Sequence, residues 1–286
     1  MIRSPRGDQI IASSPLTPGD PMTEAPHLLF EREGHTAVVT LNRPEKKNAL
    51  SSEMLVGMYD AWVEIDENPD IRVAIVTGAG SNFCSGADLK AMAAGHPDNE
   101  YSKRFAEDSD LHWKALLRHF IPNKPIIAAV EGYAVAGGTE ILQAMDIRVA
   151  GEGATFGVAE VRRGLFPLGG STVRLSRQIP YTVAADLLLT GRFVSATEAR
   201  EVGLIGHVVP DGEALAKAQE IAESISANGP VAVQAVLRSM RATRELPERE
   251  GLALELEIGW PVFATEDAQE GPTAFAEKRA PHFQGR

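Results

Sequence analysis

The residues best placed to do chemistry are two glycine-flanked segments and two glutamates. In Ser85-Gly86-Ala87-Asp88-Leu89-Lys90, Asp88 is a good N-cap for a helix expected from about Leu89. Ala87 then sits just before that helix with its N–H free. The second segment, Gly132-Tyr133-Ala134-Val135-Ala136-Gly137-Gly138-Thr139-Glu140, follows the apolar run Ile126–Val130. Glycines entering a helix let a ligand approach the backbone, and the exposed N–H groups carry the positive end of the helix dipole. Either segment alone is an ordinary turn and cap. Together they offer two backbone donors at helix starts, which is what a developing oxyanion needs. Glu140 lies in the first turn of the glycine-led helix, and Glu160 follows Phe156-Gly157-Val158-Ala159. Taken singly, one is a favourable dipole contact and the other a solvated loop carboxylate. As a pair beside two donors they suit general acid–base work, provided the intervening strand returns Glu160 towards Glu140.

Other candidates are poorer. Gly78-Ala79-Gly80 after a strand suggests a dinucleotide fingerprint, but Phe83 stands where the third glycine belongs. No P-loop pattern occurs. The seven histidines form no HExxH or HxxxH pair, and His112 and His119, seven apart on an expected helix, are explained by packing or surface polarity. Cys84 lies in a glycine-containing loop with no positioned histidine to activate it, so it is expected to be a small buried thiol. A lone cysteine forms no internal disulfide framework and no multi-thiolate metal site.

These residues must be positioned by a chain of 286 residues with a net charge of −11, 44% hydrophobic and 23% charged. That composition is ordinary for a globular protein with a large buried core. The acidic balance speaks against nucleic-acid binding, and no apolar run reaches the ~18–20 residues of a membrane span. Residues 1–26, with Pro5, Pro15, Pro18, Pro21 and Pro26, are expected to form a flexible arm. They have neither the apolar core of a secretory signal nor an amphipathic presequence helix, so a cytoplasmic location is expected. Met22-Thr23-Glu24 offers an alternative start that would make residues 1–21 dispensable.

Residues 27–210 read as an α/β core. Strands are expected at His35–Leu41, Val73–Thr77, Ile126–Val130 and Ile147–Ala150. Helices are expected after Ser51 or Ser52, from Leu89, over roughly Asp108–Phe120 and over Gly137–Met145. Gly95–Lys103 is expected to be a mobile loop over the site. The β-α-β-α-β order with continuous apolar strands implies a parallel sheet covered on both faces. Residues 211–286 are expected to be helical, with helices over Glu213–Ala227 and from Pro230.

Several stretches in this order resemble the crotonase superfamily, and within it the enoyl-CoA hydratases: NKPIIAAVEGYAVAGGTE (Asn123–Glu140), SGADLK (Ser85–Lys90) and FGVAEVRRGLFP (Phe156–Pro167). LNRPEKKNAL (Leu41–Leu50) and FAEKRAPHF (Phe275–Phe283) strengthen the match, which runs from about Leu28 to Phe283. The resemblance implies an α/β fold, a spiral of β-β-α units with two stacked sheets, and a C-terminal helical region used to form a trimer or a hexamer of two trimers. It implies an oxyanion hole made by the N–H groups of Ala87 and Gly137, and the catalytic pair Glu140 and Glu160. The acyl-CoA contacts it implies are Ala87, Asp88, Leu89, Lys90 and Gly137, with Phe275 and Lys278 near the CoA nucleotide. The activity implied is hydration of a trans-2-enoyl-CoA, with no metal and no cofactor beyond the CoA of the substrate. The alternatives are an enoyl-CoA isomerase using one glutamate and a non-catalytic acyl-CoA-binding protein. Two departures stand out: Ala136 replaces the first glycine of the usual triple run, and Leu168 follows Pro167 where hydratases often carry glycine.

Overall fold

The computed structural model describes residues 25–94 and 99–286; most of the proline-rich arm and part of the expected loop over the site lie outside them. The chain begins with a hairpin of β1 (Leu28–Glu33) and β2 (Thr36–Leu41), paired antiparallel. Helix α1 (Ser52–Glu67) is capped by Ser51, whose Oγ accepts the Met54 N–H at 3.1 Å. Its buried face, Met54, Leu55, Met58, Trp62 and Ile65, has the spacing of an amphipathic helix. Then follow β3 (Val73–Gly78), α2 (Leu89–Ala94), α3 (Glu100–Glu107), α4 (Leu111–Ala115), β4 (Ile126–Val130), β5 (Tyr133–Val135) and α5 (Gly137–Leu142). Next come β6 (Ile147–Gly151), β7 (Thr155–Gly157), α6 (Ser171–Gln178), α7 (Tyr181–Thr190), β8 (Val194–Ser195), α8 (Ala196–Glu201) and β9 (His207–Val209). Beyond β9 the described chain is helical: α9 (Ala214–Ser226), α10 (Pro230–Thr243), α11 (Glu248–Gly259) and α12 (Glu266–Glu277).

Two sheets result. The larger has the order β1-β2-β3-β4-β6-β9, parallel except for β1, and the smaller the order β5-β7-β8. Strands of the large sheet are apolar on both faces because both are covered. Ala74, Val76, Ala128 and Val130 face the main core with Trp62, Phe83 and Phe156, whereas Val73, Ile75, Ile127 and Ala129 face Ala214, Ala218 and Ala222 of α9. The alanines at four-residue spacing let α9 lie close against the sheet. The C-terminal helical region therefore begins with a helix that belongs to the packing of the α/β core.

The small sheet decides where the site is. The chain leaves the large sheet at Val130, turns, enters β5 and then α5; it leaves again at Gly151, enters β7 and then a 3-10 turn, Glu160–Arg163. After β3 a less regular pass does the same, with Cys84 bridging Ala134 before α2 begins. Three successive β-β-α turns thus stack side by side. Strands as short as β5 and β7 leave no readable periodicity, which is why a single sheet is the simpler reading of the residue pattern.

Two expectations need correction. The helix expected over Asp108–Phe120 is only the five residues of α4, because Leu117 adopts a left-handed backbone (φ 54°) and turns the chain away. Of the segment read as a loop, Glu100–Lys103 lies in α3, where the Asn99 Oδ1 accepts the Ser102 N–H at 3.0 Å as an N-cap; residues 95–98 lie outside the described residues.

Candidate active site

The stacked turns bring together the segments that sequence reasoning had singled out. Cys84 N–H donates to Tyr133 O at 2.9 Å and Val135 N–H to Cys84 O at 2.9 Å, so the two loops run as a short parallel ladder. Ala136 N–H donates to Gly157 O at 2.7 Å, joining the third turn. At the end of this ladder a Cβ on Gly86 would stand 3.0 Å from Gly137 N and 2.7 Å from Ala136 Cβ. Only glycine allows that approach, and Gly86 also has φ +86°. A Cβ on Gly137 would lie 3.8 Å from Ala87 N. Among the described residues, neither Ala87 N–H nor Gly137 N–H donates a backbone hydrogen bond. Two unspent donors therefore stand next to each other.

Each donor is braced from behind. Leu50 N–H donates to Gly86 O at 2.8 Å and Asp88 N–H to Leu50 O at 3.2 Å, holding Ala87 between them. The Asp88 Oδ1 accepts the Ala91 N–H at 3.1 Å, and its other oxygen pairs with Arg43 at 3.2 Å. The cap hydrogen bond, more than the Arg43 pairing, holds this carboxyl below its usual range. Asp88 thus positions α2. Gly137 follows Ala136, whose φ of 50° and ψ of −126° are unusual for a residue with a Cβ. Thr139 ties the same turn inward: its Oγ1 donates to Ala134 O at 2.5 Å and accepts the Gly157 N–H at 3.1 Å.

Glu140 is buried, 5% exposed, and its Oε1 accepts the Ser171 N–H at the start of α6 at 3.3 Å. Burial raises its pKa, against the lowering effect of hydrogen bonds from Ser171 and Gly169 and of the Arg174 charge. Glu160 starts the 3-10 turn, half-buried, with an Oε2 that has no hydrogen-bond partner among the described residues. Burial first, and then the charge of Glu140, push its carboxyl up to about 7. Two carboxyl groups that feel each other cannot both ionise easily, and this favours the protonated form of Glu160.

The remaining sequence candidates are placed as follows. Leu89 and Lys90 open α2 with exposed side chains. Phe275 is exposed near the end of α12 and Lys278 is its left-handed C-cap (φ 56°); among the described residues no hydrogen bond joins either to the donor pair. Cys84 is fully buried, with its thiol pushed up to about 12, so it is no nucleophile. The Gly78-Ala79-Gly80 turn is pinned by Asn48, whose Nδ2 donates to Ala79 O and Asn82 O at 2.9 and 2.6 Å. His112 and His119 both pack on Trp113, and His119 pairs with Asp110 at 2.6 Å. Among the described residues no group of three or more His, Cys, Asp or Glu could hold a metal ion, and no helix is long and apolar enough to cross a membrane. Sequence reasoning passed over Arg43, Gly169, Ser171 and Arg174. The available signal was Gly169-Gly170-Ser171, which opens a helix carrying an arginine in its first turn.

Comparison with known proteins shows the family to which the chain belongs. The family model described as enoyl-CoA hydratase/isomerase matches residues 31–286. An enoyl-CoA hydratase of Mycobacterium tuberculosis is 58% identical over 261 residues, 91% of this chain and 97% of that protein. An (E)-benzylidenesuccinyl-CoA hydratase of Thauera aromatica is 39% identical, over 90% of this chain and 98% of its own. The crystal structure of an enoyl-CoA hydratase of Mycobacterium marinum superposes with a TM-score of 0.84 at 40% identity, covering 92% of this chain and all of that one.

Proposed function

We infer that this chain, which belongs to the enoyl-CoA hydratase/isomerase family, catalyses the reversible addition of water to a trans-2-enoyl-CoA, giving a 3-hydroxyacyl-CoA. In this reading the thioester oxygen accepts hydrogen bonds from Ala87 N–H and Gly137 N–H. As water adds at C3, negative charge moves onto that oxygen and the two donors stabilise the enolate. Loss of one such donor typically costs about 10²–10³ in rate. Glu140 takes the proton of the attacking water, and Glu160 delivers a proton to C2. Each transfer is worth roughly 10²–10⁴. The CoA is part of the substrate, and the reading calls for no separate cofactor. Lys90 and Lys278 are assigned to its phosphates as local cations on an acidic protein.

The observation that carries this reading is the unequal carboxyl pair. Glu140 is met by the N–H of Ser171, while Glu160 has no partner at one oxygen among the described residues and is pushed up to about 7. A base and an acid are thereby available together at neutral pH. We further assign a trimeric or hexameric assembly and a cytoplasmic location. The exposed Val236, Met240, Leu252, Leu256, Trp260 and Phe263 of the C-terminal helices support an assembly that covers them.

Crotonyl-CoA tests the reaction: a hydratase removes its conjugated absorbance without oxidant, and an isomerase leaves it unchanged. Glu140→Gln and Glu160→Gln, made separately, should each lower kcat/KM by about 10²-fold or more. Near-normal hydration by both variants would sink the mechanism. A panel of enoyl-CoA chain lengths then defines the preferred acyl group, with Leu168 at the position where the pocket departs from the family pattern.

A further inference from the structure

Glu140 and Glu160 are chemically identical, yet the reaction needs one ionised and one protonated. The difference between them comes from what stands behind each. Behind Glu140 is the first turn of α6. A Cβ on Gly169 would fall 2.6 Å from the Glu140 Oε2, so that backbone lies directly against the carboxylate. On its far side the Arg174 Nη1 donates to Gly169 O at 3.4 Å, and the Arg174 Nη2 donates to Leu117 O at 2.5 Å. The guanidinium is thus anchored one peptide away from the carboxylate, and Glu140 is the carboxylate whose charge acts on it. Among the described residues no cation acts on Glu160 as Arg174 acts on Glu140.

We propose that Arg174 is a positioning residue for the acid–base pair: lodged behind Gly169, it holds Glu140 as the ionised carboxylate and so leaves the shared proton on Glu160. The inference rests on the hydratase reading of the same pair. The charged groups facing Glu140 are Arg174 from α6 and Glu160 from the 3-10 turn. Cys84, facing α5 from the opposite loop, is a neutral thiol. Burial first, and then the like charges of Arg118 and Arg244, make the charge of Arg174 costlier, and the charge of Glu140 offsets them.

The test is the pH profile of kcat/KM with crotonyl-CoA, whose acid limb reports the ionisation of the base in the free enzyme. Arg174→Gln should move that limb up by about one pH unit, as removal of a nearby opposite charge does. Arg174→Lys keeps a cation while losing the guanidinium fork, and should leave the limb close to its original position. Equal shifts in both variants, or none in either, would overturn the proposal, since a purely structural loss acts on both alike. A wild-type measurement covers the case of a variant that does not fold. With carboxyl-labelled glutamate, NMR titration should show Glu140 losing its proton at lower pH than Glu160, and the reverse order refutes the role of Arg174. Failure of the hydratase reading is seen separately, in the Glu140→Gln and Glu160→Gln rates.

Discussion

Gly169→Ala is a small perturbation with a result that can be worked out beforehand. The backbone at Gly169 lies outside the left-handed region, so an alanine is acceptable there on conformational grounds. The obstacle is contact: the new Cβ would lie 2.6 Å from the Glu140 Oε2, 2.8 Å from its Cδ and 2.9 Å from its Cβ. Ordinary contacts begin at about 3.4 Å, so the carboxylate must withdraw by roughly 0.8 Å. Three atoms of the one side chain are involved, and a rotation of the carboxyl end cannot relieve all of them. A misplacement of this order in a group that addresses the reacting atom costs about 10²-fold, or about 2.7 kcal/mol of transition-state stabilisation. Overpacking should cost about 1–3 kcal/mol of folding stability. Hydration of crotonyl-CoA, followed by loss of absorbance, should show kcat and kcat/KM falling together with KM little changed. Circular dichroism and a urea midpoint confirm that the protein is folded. A folded Gly169→Ala protein working at the wild-type rate would refute the placement of Glu140 at the reacting atoms.

Other outcomes follow from the same geometry. Burial first, and then the charge of Glu140, push the folded Glu160 carboxyl up to about 7, so its proton favours the folded state, a contribution that is full below the unfolded value and lost as pH rises from there through 7. Glu160→Gln should therefore raise the thermal midpoint at pH 8 and leave it nearly unchanged at pH 4, and an equal gain at both would contradict the assigned burial. Ala136 keeps a Cβ at φ 50° and ψ −126°, a conformation costing about 1–3 kcal/mol. Ala136→Gly should stabilise the protein by about 1 kcal/mol in urea unfolding after the entropy of the added glycine is offset; a loss of stability would show the strain to be absent.

The candidate donors and the candidate acids stand out in the sequence for different reasons. Ala87 and Gly137 announce themselves through caps and glycines close by in the chain, where local rules operate. The pairing of Glu140 with Glu160 was harder, because it depends on three β-β-α turns lying in register. The strands that set that register, Tyr133–Val135 and Thr155–Gly157, are too short to leave a hydrophobic rhythm. Ser171 and Arg174 leave only a local signal, Gly169-Gly170-Ser171 opening a helix, and nothing in their spacing ties them to Glu140. They lie some thirty residues beyond Glu140 and reach it because residues 164–170 carry the chain from the third turn to the start of α6. The failed reading of a continuous Asp108–Phe120 helix has a similar origin. Leu117 takes up a left-handed backbone whose carbonyl is held by Arg174, a partner distant in sequence.

The two unspent donors are main-chain groups, and this gives the site an asymmetric fate under mutation. A single codon change can erase either glutamate, but only proline removes an N–H, and every other replacement at Ala87 or Gly137 leaves the donor in the chain. On the hydratase reading, descendants of such a protein would lose water addition in one step while keeping both donors for a thioester. The same scaffold would then be free to acquire a different proton carrier around the acyl group those donors hold.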